Sequence, residues 1–129
     1  MKVSDLMKTE LAVVNEDASV ADAIVELADA HVHGVPVVDR RERIVGVLSS
    51  SDILQTAAEG EGNRRFDQML VRDIMTTPPQ TISPDEDVKN AAQLMLELDV
   101  HRLFVEKNRE LVGVIAQSDI VRALATGKL

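Results

Sequence analysis

Apolar residues at Val20, Ala23, Ile24 and Leu27 recur at three- and four-residue spacing, the period of one buried helix face. Val88, Ala91, Ala92 and Met95 repeat that spacing later. Both stretches predict a helix. Ser19 and Asp87 stand just ahead of them, where a side-chain oxygen accepts the orphan N–H bonds of a first turn. Ser83-Pro84-Asp85-Glu86 is a competing start for the second of these helices. A short apolar stretch precedes each helix, Leu11-Ala12-Val13-Val14 in one case and Thr81-Ile82 in the other. Two branched runs follow each: Val35 to Val38 and Ile44 to Leu48, then Leu103 to Val105 and Leu111 to Ile115. Their polar connections, Asp39 to Arg43 and Glu106 to Glu110, have hairpin length. A further helix is expected from about Ser51 and from about Ser118.

Each half therefore reads strand, helix, strand, strand, helix, and the halves are copies. Val3-Ser4-Asp5-Leu6-Met7 returns 68 positions later as Val71-Arg72-Asp73-Ile74-Met75, and His33 returns as His101 at the same offset. Gly46-Val47-Leu48-Ser49-Ser50-Ser51-Asp52-Ile53-Leu54 returns 67 positions later as Gly113-Val114-Ile115-Ala116-Gln117-Ser118-Asp119-Ile120-Val121. One residue is missing from the second copy around Lys107 to Glu110. An internal duplication accounts for this. The boundaries expected are a first repeat over 1–60, a linker over 61–70 and a second repeat over 71–129. The stretch Glu59 to Arg65, with two glycines, high charge and no periodicity, is the linker signal. A unit of about 55 residues is near the lower limit for a core of its own. The fold class expected is α/β of the mixed α+β kind, with two β-α-β-β-α repeats packed sheet to sheet.

Composition narrows the function classes. The 129 residues are 45% hydrophobic but only 2% aromatic, so Val, Ile, Leu, Ala and Met fill the core. The net charge of −8 and the lack of an aromatic stacking surface disfavour nucleic acid. The basic clusters Arg40-Arg41-Glu42-Arg43 and Arg64-Arg65 read as solvated loops. With no cysteine, disulfides, thiol catalysis and thiolate metal sites are excluded. No apolar run approaches the roughly 20 residues of a membrane span, and Met1-Lys2-Val3-Ser4-Asp5 has no signal core. A cytoplasmic protein is the expectation.

The duplicated Val-x-Asp-hydrophobic-Met openings, the His33-Gly34-Val35-Pro36-Val37-Val38 segment and the Gly-x-x-Ser-x-x-Asp-Ile phrase at Gly46 to Ile53 resemble a pair of CBS domains (cystathionine beta-synthase domains), the tandem called a Bateman module. The resemblance covers almost the whole chain. It implies a regulatory module, not an enzyme, that binds AMP, ADP, ATP, S-adenosylmethionine or a related ligand in the cleft between repeats. No other cofactor is required. It further implies a homodimer, and a stand-alone module acting on its own dimer or on a separate, unidentified protein partner.

A ribose diol suits a carboxylate acceptor, and phosphates suit helix N-termini and arginine. The resemblance assigns the ribose to Asp52 and Asp119, with Ser49 assisting in the first copy. Ala116 departs from the pattern in the second copy, where Ser118 is the expected substitute, as Ser51 supports Asp52. His101 and Arg102 stand where the family places phosphate contacts. His33 matches His101, but Gly34 replaces the arginine, so the Asp119 site is the one expected to take a phosphorylated ligand. The opening segments, around Thr9 to Val13 and around Thr77-Pro78 on to Ile82, are expected to face adenine. Each would serve the other copy's aspartate, Asp119 and Asp52 respectively.

Each of these residues has a plainer reading. Ser and Asp at a helix start cap its N–H groups whatever the function, and Arg102 at a strand start can simply be solvated. His31 and His33, two histidines one residue apart, are weak evidence of a metal site. A Ser49, His33, Asp52 grouping is better explained by capping and ribose binding than by catalysis. No Walker loop, Gly-x-Ser-x-Gly or His-Glu-x-x-His is present. No catalytic residue and no metal is expected. The alternative function is a ligand-independent interaction or dimerisation module.

Overall fold

The computed structural model describes residues 1–59 and 66–129. Most of the glycine- and charge-rich linker signal, with Arg64-Arg65, lies outside the described residues; of the expected linker, Phe66–Gln68 forms a 3-10 turn. The other elements are α1 (Val3–Leu6), β1 (Val14–Asn15), α2 (Val20–Ala30), β2 (Gly34–Val38), β3 (Ile44–Ser49), α3 (Ser50–Ala58), α4 (Val71–Ile74), β4 (Thr81–Ile82), α5 (Val88–Leu98), β5 (Arg102–Lys107), β6 (Glu110–Ala116) and α6 (Gln117–Ala125). This is the mixed α+β class that the two periodicities predict.

Two three-stranded sheets form, in the orders β1-β2-β3 and β4-β5-β6. In each, the first strand pairs parallel with the second, and the second pairs antiparallel with the third. The helices begin as the caps require. The Ser19 hydroxyl accepts the Asp22 N–H at 3.1 Å, and the Asp87 carboxylate accepts the Lys89 N–H at 2.8 Å. Asp87, not Ser83, is thus the start of α5. Both helices end on a left-handed residue, His31 (φ 53°) and Asp99 (φ 54°). His31 therefore closes a helix, with its N–H on the carbonyls of Leu27 and Ala28.

The chain divides into two compact units that do not coincide with the sequence repeats: Met1–Leu11 with Gln80–Leu129, and Ala12–Pro79. The opening segment of each copy packs into the body of the other. Val3 is fully buried with Ile82, Val88, Leu103 and Ile115, whereas Val71 is fully buried with Val14, Leu27, Val37 and Leu48. Backbone bonds fix the exchange. Lys8 exchanges both bonds with Val114 (2.8 and 2.9 Å), and Thr76 does the same with Val47 (2.9 and 3.0 Å). The predicted strand Leu11–Val14 is observed only at Val14–Asn15, the two residues that pair with β2. Leu11 belongs to one unit and Val14 to the other, so no single sheet holds the whole apolar run.

Candidate functional site

The site begins in the strand-to-helix step. In the Ala12–Pro79 unit, β3 ends at Ser49, whose extended backbone (φ −115°, ψ 162°) makes it the N-cap of α3. The Ser49 hydroxyl accepts the Asp52 N–H at 3.2 Å. In return the Asp52 Oδ2 accepts from the Ser49 N–H at 2.9 Å and the Ser49 hydroxyl at 3.0 Å. The second oxygen, Oδ1, accepts the Thr76 hydroxyl at 2.9 Å. Thr76 reaches it because its backbone is bonded to Val47 on β3. That approach requires a residue without Cβ at Gly46, since a Cβ there would lie 2.9 Å from the Thr76 carbonyl oxygen and 2.8 Å from the Met75 sulfur.

In the unit of Met1–Leu11 and Gln80–Leu129 the backbone repeats the arrangement, but the side chains do not. Ala116 is the N-cap of α6, with φ −115° and ψ 160°, and has no hydroxyl to offer. Asp119 Oδ2 accepts the Ala116 N–H at 2.9 Å. Asp119 is buried, at 6% exposure, and is the one buried charged residue among those described. Its Oδ1 faces two cations instead of a hydroxyl, the Lys8 amine at 3.7 Å and the Arg122 guanidinium at 3.6 Å. Gly113 again permits the close approach, for a Cβ there would stand 2.7 Å from the Lys8 carbonyl oxygen.

His33 and His101 carry a shared backbone task. Their carbonyls accept the Ser50 and Gln117 N–H groups at 2.8 and 2.9 Å, satisfying the first orphan donor of each second helix. The His33 ring is exposed. The His101 Nδ1 lies 3.3 Å from the Gln117 amide oxygen, whose nitrogen donates to the Val100 carbonyl at 3.3 Å. Arg102 is half-buried at the start of β5, directly across the ladder from Ala116, as Gly34 is across from Ser49. His101, Arg102 and Asp119 thus meet at one end of the β5–β6 hairpin.

The other expected residues are placed as follows. Ser51 and Ser118 are exposed, one turn position inside helices whose N-caps are Ser49 and Ala116. Ser118 therefore does not take the capping place that Ala116 leaves empty of a hydroxyl. Thr9 is exposed in the Asp119 unit, while Val13, also exposed, falls in the Asp52 unit. Thr77 and Pro78 are exposed in the Asp52 unit, whereas Thr81 and Ile82 form β4 of the Asp119 unit. The segments expected to serve one aspartate each are thus split between the units. Lys8, Thr76, Arg122 and Gln117 were not singled out from sequence. Lys8 and Thr76 share one signal, for each directly follows the Met of its opening motif.

Two shallow grooves lie elsewhere. One, of about 450 Å³, runs between β4 and α5 past Thr81, Ser83, Glu86 and Asn90. The other, of about 330 Å³, is lined by Ile24, Leu27, Val32, Ile53 and Leu54 of α2, the turn after it and α3. The first is bordered by Thr81 and Ile82, the end of a segment expected to face adenine; the second contains no expected site residue. No cluster of three or more His, Asp or Glu with metal-holding geometry occurs among the described residues. No helix among them is long and apolar enough to cross a membrane.

Known proteins share this duplicated plan. The family model for the CBS domain matches residues 3–59 and again residues 71–126. The CBS domain-containing protein YhcV of Bacillus subtilis is 30% identical over 119 residues, 92% of this chain and 81% of that protein. The crystal structure of CBSX2 in complex with AMP has a TM-score of 0.83 at 31% identity, over 99% of this chain and 98% of that one; CBSX2 comes from Arabidopsis thaliana. The CBS domain pair of protein MJ0100, solved with 5-methylthioadenosine and S-adenosyl-L-methionine, has a TM-score of 0.80 at 25% identity, over 100% of this chain and 98% of that one.

Proposed function

The chain belongs to the CBS domain family as a tandem pair, and from that premise we propose that it is a regulatory module binding an adenine nucleotide or adenosyl compound, without catalysis of its own. The observation that carries this reading is the state of Asp119. One oxygen of this buried carboxylate is spent on the Ala116 N–H, and among the described residues no hydrogen-bond donor reaches the other. A ribose diol is a neutral donor of the kind such an oxygen accepts. His101 and Arg102, at the same end of the hairpin, supply the phosphate grip, with Thr9 of the same unit facing the base. Asp52, already holding three hydroxyl and N–H donors beside Gly34, suits a ligand without phosphate, with Ser49, Thr77 and Pro78 around it. The AMP held by CBSX2 and the methylthioadenosine and S-adenosylmethionine held by MJ0100 span these two ligand types. A ligand that differs in affinity between two conformations shifts their balance, and the shift is read by a partner subunit or a separate protein.

The test is a thermal-shift series with AMP, ADP, ATP, adenosine and S-adenosylmethionine. A ligand at about 100 times its dissociation constant, binding only the folded state, adds about 2.7 kcal/mol. Asp119→Asn is the informative variant. It keeps an acceptor for the Ala116 N–H and removes the anionic oxygen, whereas Asp119→Ala also uncaps α6. A shift with one of these ligands that the variant loses supports the reading, and no shift with any of them removes it. Incubation with ATP is expected to give no product.

A second reading, a homodimerising interaction module, draws on exposed apolar side chains of the long helices: Val25 and Leu54 in one unit, Leu96, Val121 and Leu124 in the other. A dimer by sedimentation that Leu54→Glu and Leu124→Glu dissociate, unchanged by nucleotide, would favour it.

A further inference from the structure

The duplication offers an internal comparison, because the chain supplies two copies of one carboxylate in one backbone setting. Three positions around it change together. Ser49 becomes Ala116, Thr76 becomes Lys8 and Gln55 becomes Arg122, each pair at the repeat offset of 67 or 68. The Asp52 carboxylate is satisfied by two hydroxyls, at 3.0 and 2.9 Å. Around Asp119 both hydroxyls are gone, and two cations stand at 3.7 and 3.6 Å.

Resting on the ligand reading above, we propose that Lys8 and Arg122 are specificity-determining cations that make the Asp119 unit select a nucleoside 5′-phosphate over the bare nucleoside. Their distances exceed the roughly 2.7–2.9 Å of a charge-assisted hydrogen bond, so neither is locked to the carboxylate. Their side chains are 61% and 65% exposed, against 5% for Asp119. Neither cation is held to the carboxylate at hydrogen-bond distance, and both sit on long stems that can re-aim. When a diol donates to Oδ1, the carboxylate charge is partly met and the cations turn to the more highly charged phosphate. A ligand without phosphate displaces them and returns nothing. At Asp52 the displaced group is a neutral hydroxyl, so no such discrimination arises.

The experiment is an NMR titration of AMP and of adenosine, read at the Asp119 and Gln117 backbone amides so that binding at Asp52 is not counted. Wild type is compared with Lys8→Gln, Arg122→Gln, the double variant and Lys89→Gln, an exposed cation elsewhere on the unit. The AMP-to-adenosine affinity ratio is expected to fall about threefold to tenfold for each single variant and further for the double. Lys89→Gln leaves the ratio unchanged, and raising the salt lowers it in wild type. A double variant that keeps the wild-type ratio overturns the inference and leaves the ligand reading standing. So does equal weakening of both ligands, which would mean the cations only hold Asp119 in place. If neither compound moves those amides in wild type, the inference is overturned, and the ligand reading stands or falls by the thermal-shift series alone.

Discussion

Asp5, Asp52, Asp73 and Asp119 all stand third in a first helical turn. Each turns an oxygen back to the N–H of the capping residue, at 2.8, 2.9, 3.0 and 2.9 Å. The Asp of the opening motif and the Asp of the duplicated phrase are therefore the same device, a carboxylate that closes a helix start and favours its dipole. What separates a cap from a candidate site is the second oxygen. The backbone at Ala116 matches that at Ser49 to within 2° in ψ, 160° against 162°. Ala116→Ser is therefore expected to add about 1 kcal/mol by restoring the missing cap, and Ser49→Ala to remove about as much. Denaturant unfolding of both variants checks this. Gly34 has room for a side chain, since a Cβ there meets nothing nearer than 3.5 Å. Gly34→Arg is expected to fold and to raise the affinity of the Asp52 unit for AMP but not for adenosine, as calorimetry would read.

At the scale of elements, α2 and α5 follow from their apolar period and caps, and β2, β3, β5 and β6 from branched runs around polar connections. The four-residue helices α1 and α4 were not legible, because one turn has no period to read. The lost residue in the second copy has a clear local form. Strands β5 and β6 extend to Lys107 and Glu110, leaving Asn108 and Arg109, both with positive φ (54° and 71°), as a tight two-residue turn. The first copy keeps a longer connection organised by Asp39, whose Oδ1 accepts the Arg41 and Arg43 N–H groups at 2.8 and 3.0 Å and whose Oδ2 pairs with the Arg43 guanidinium. Partial burial pushes the Asp39 carboxyl up, but these donors outweigh it and hold it below the usual carboxylate range. The unfolded chain therefore binds this proton more readily than the folded one. The contribution of Asp39 to stability is present above the ordinary carboxylate pKa and is lost as pH falls through its lowered folded value. Asp39→Asn is expected to flatten the acid limb of the stability profile, measured by unfolding between neutral and acidic pH.

For the whole molecule, the decisive event is the exchange of opening segments. Val3 and Val71, both fully buried, fill cores built by the other copy. Each Val→Ala change is expected to cost about 2 kcal/mol. Its effect on hydrogen exchange should be strongest in the other copy's strands, β5 and β6 for Val3, β2 and β3 for Val71. Gly113→Ala and Gly46→Ala push a Cβ against the Lys8 and Thr76 carbonyl oxygens, at 2.7 and 2.9 Å. They are expected to loosen those segments and, under the proposed function, to weaken ligand binding at the aspartate of the same unit.

The local period of side chains, the caps and the duplication are properties of neighbouring residues, so the sequence by itself determined the fold class, most elements, the twofold repetition and the two aspartates as candidates. His101 and Arg102, at the start of β5, were marked by the family resemblance. The distant partner of each aspartate was decided only by tertiary structure. Thr76 reaches Asp52 from 24 positions away, and Lys8 reaches Asp119 from the far end of the chain. Duplication copied the local carboxylate cap of Asp52 and Asp119, though not the Ser49 hydroxyl, which is lost at Ala116. It does not copy the charge that a distant segment brings across a glycine, and there the two copies part.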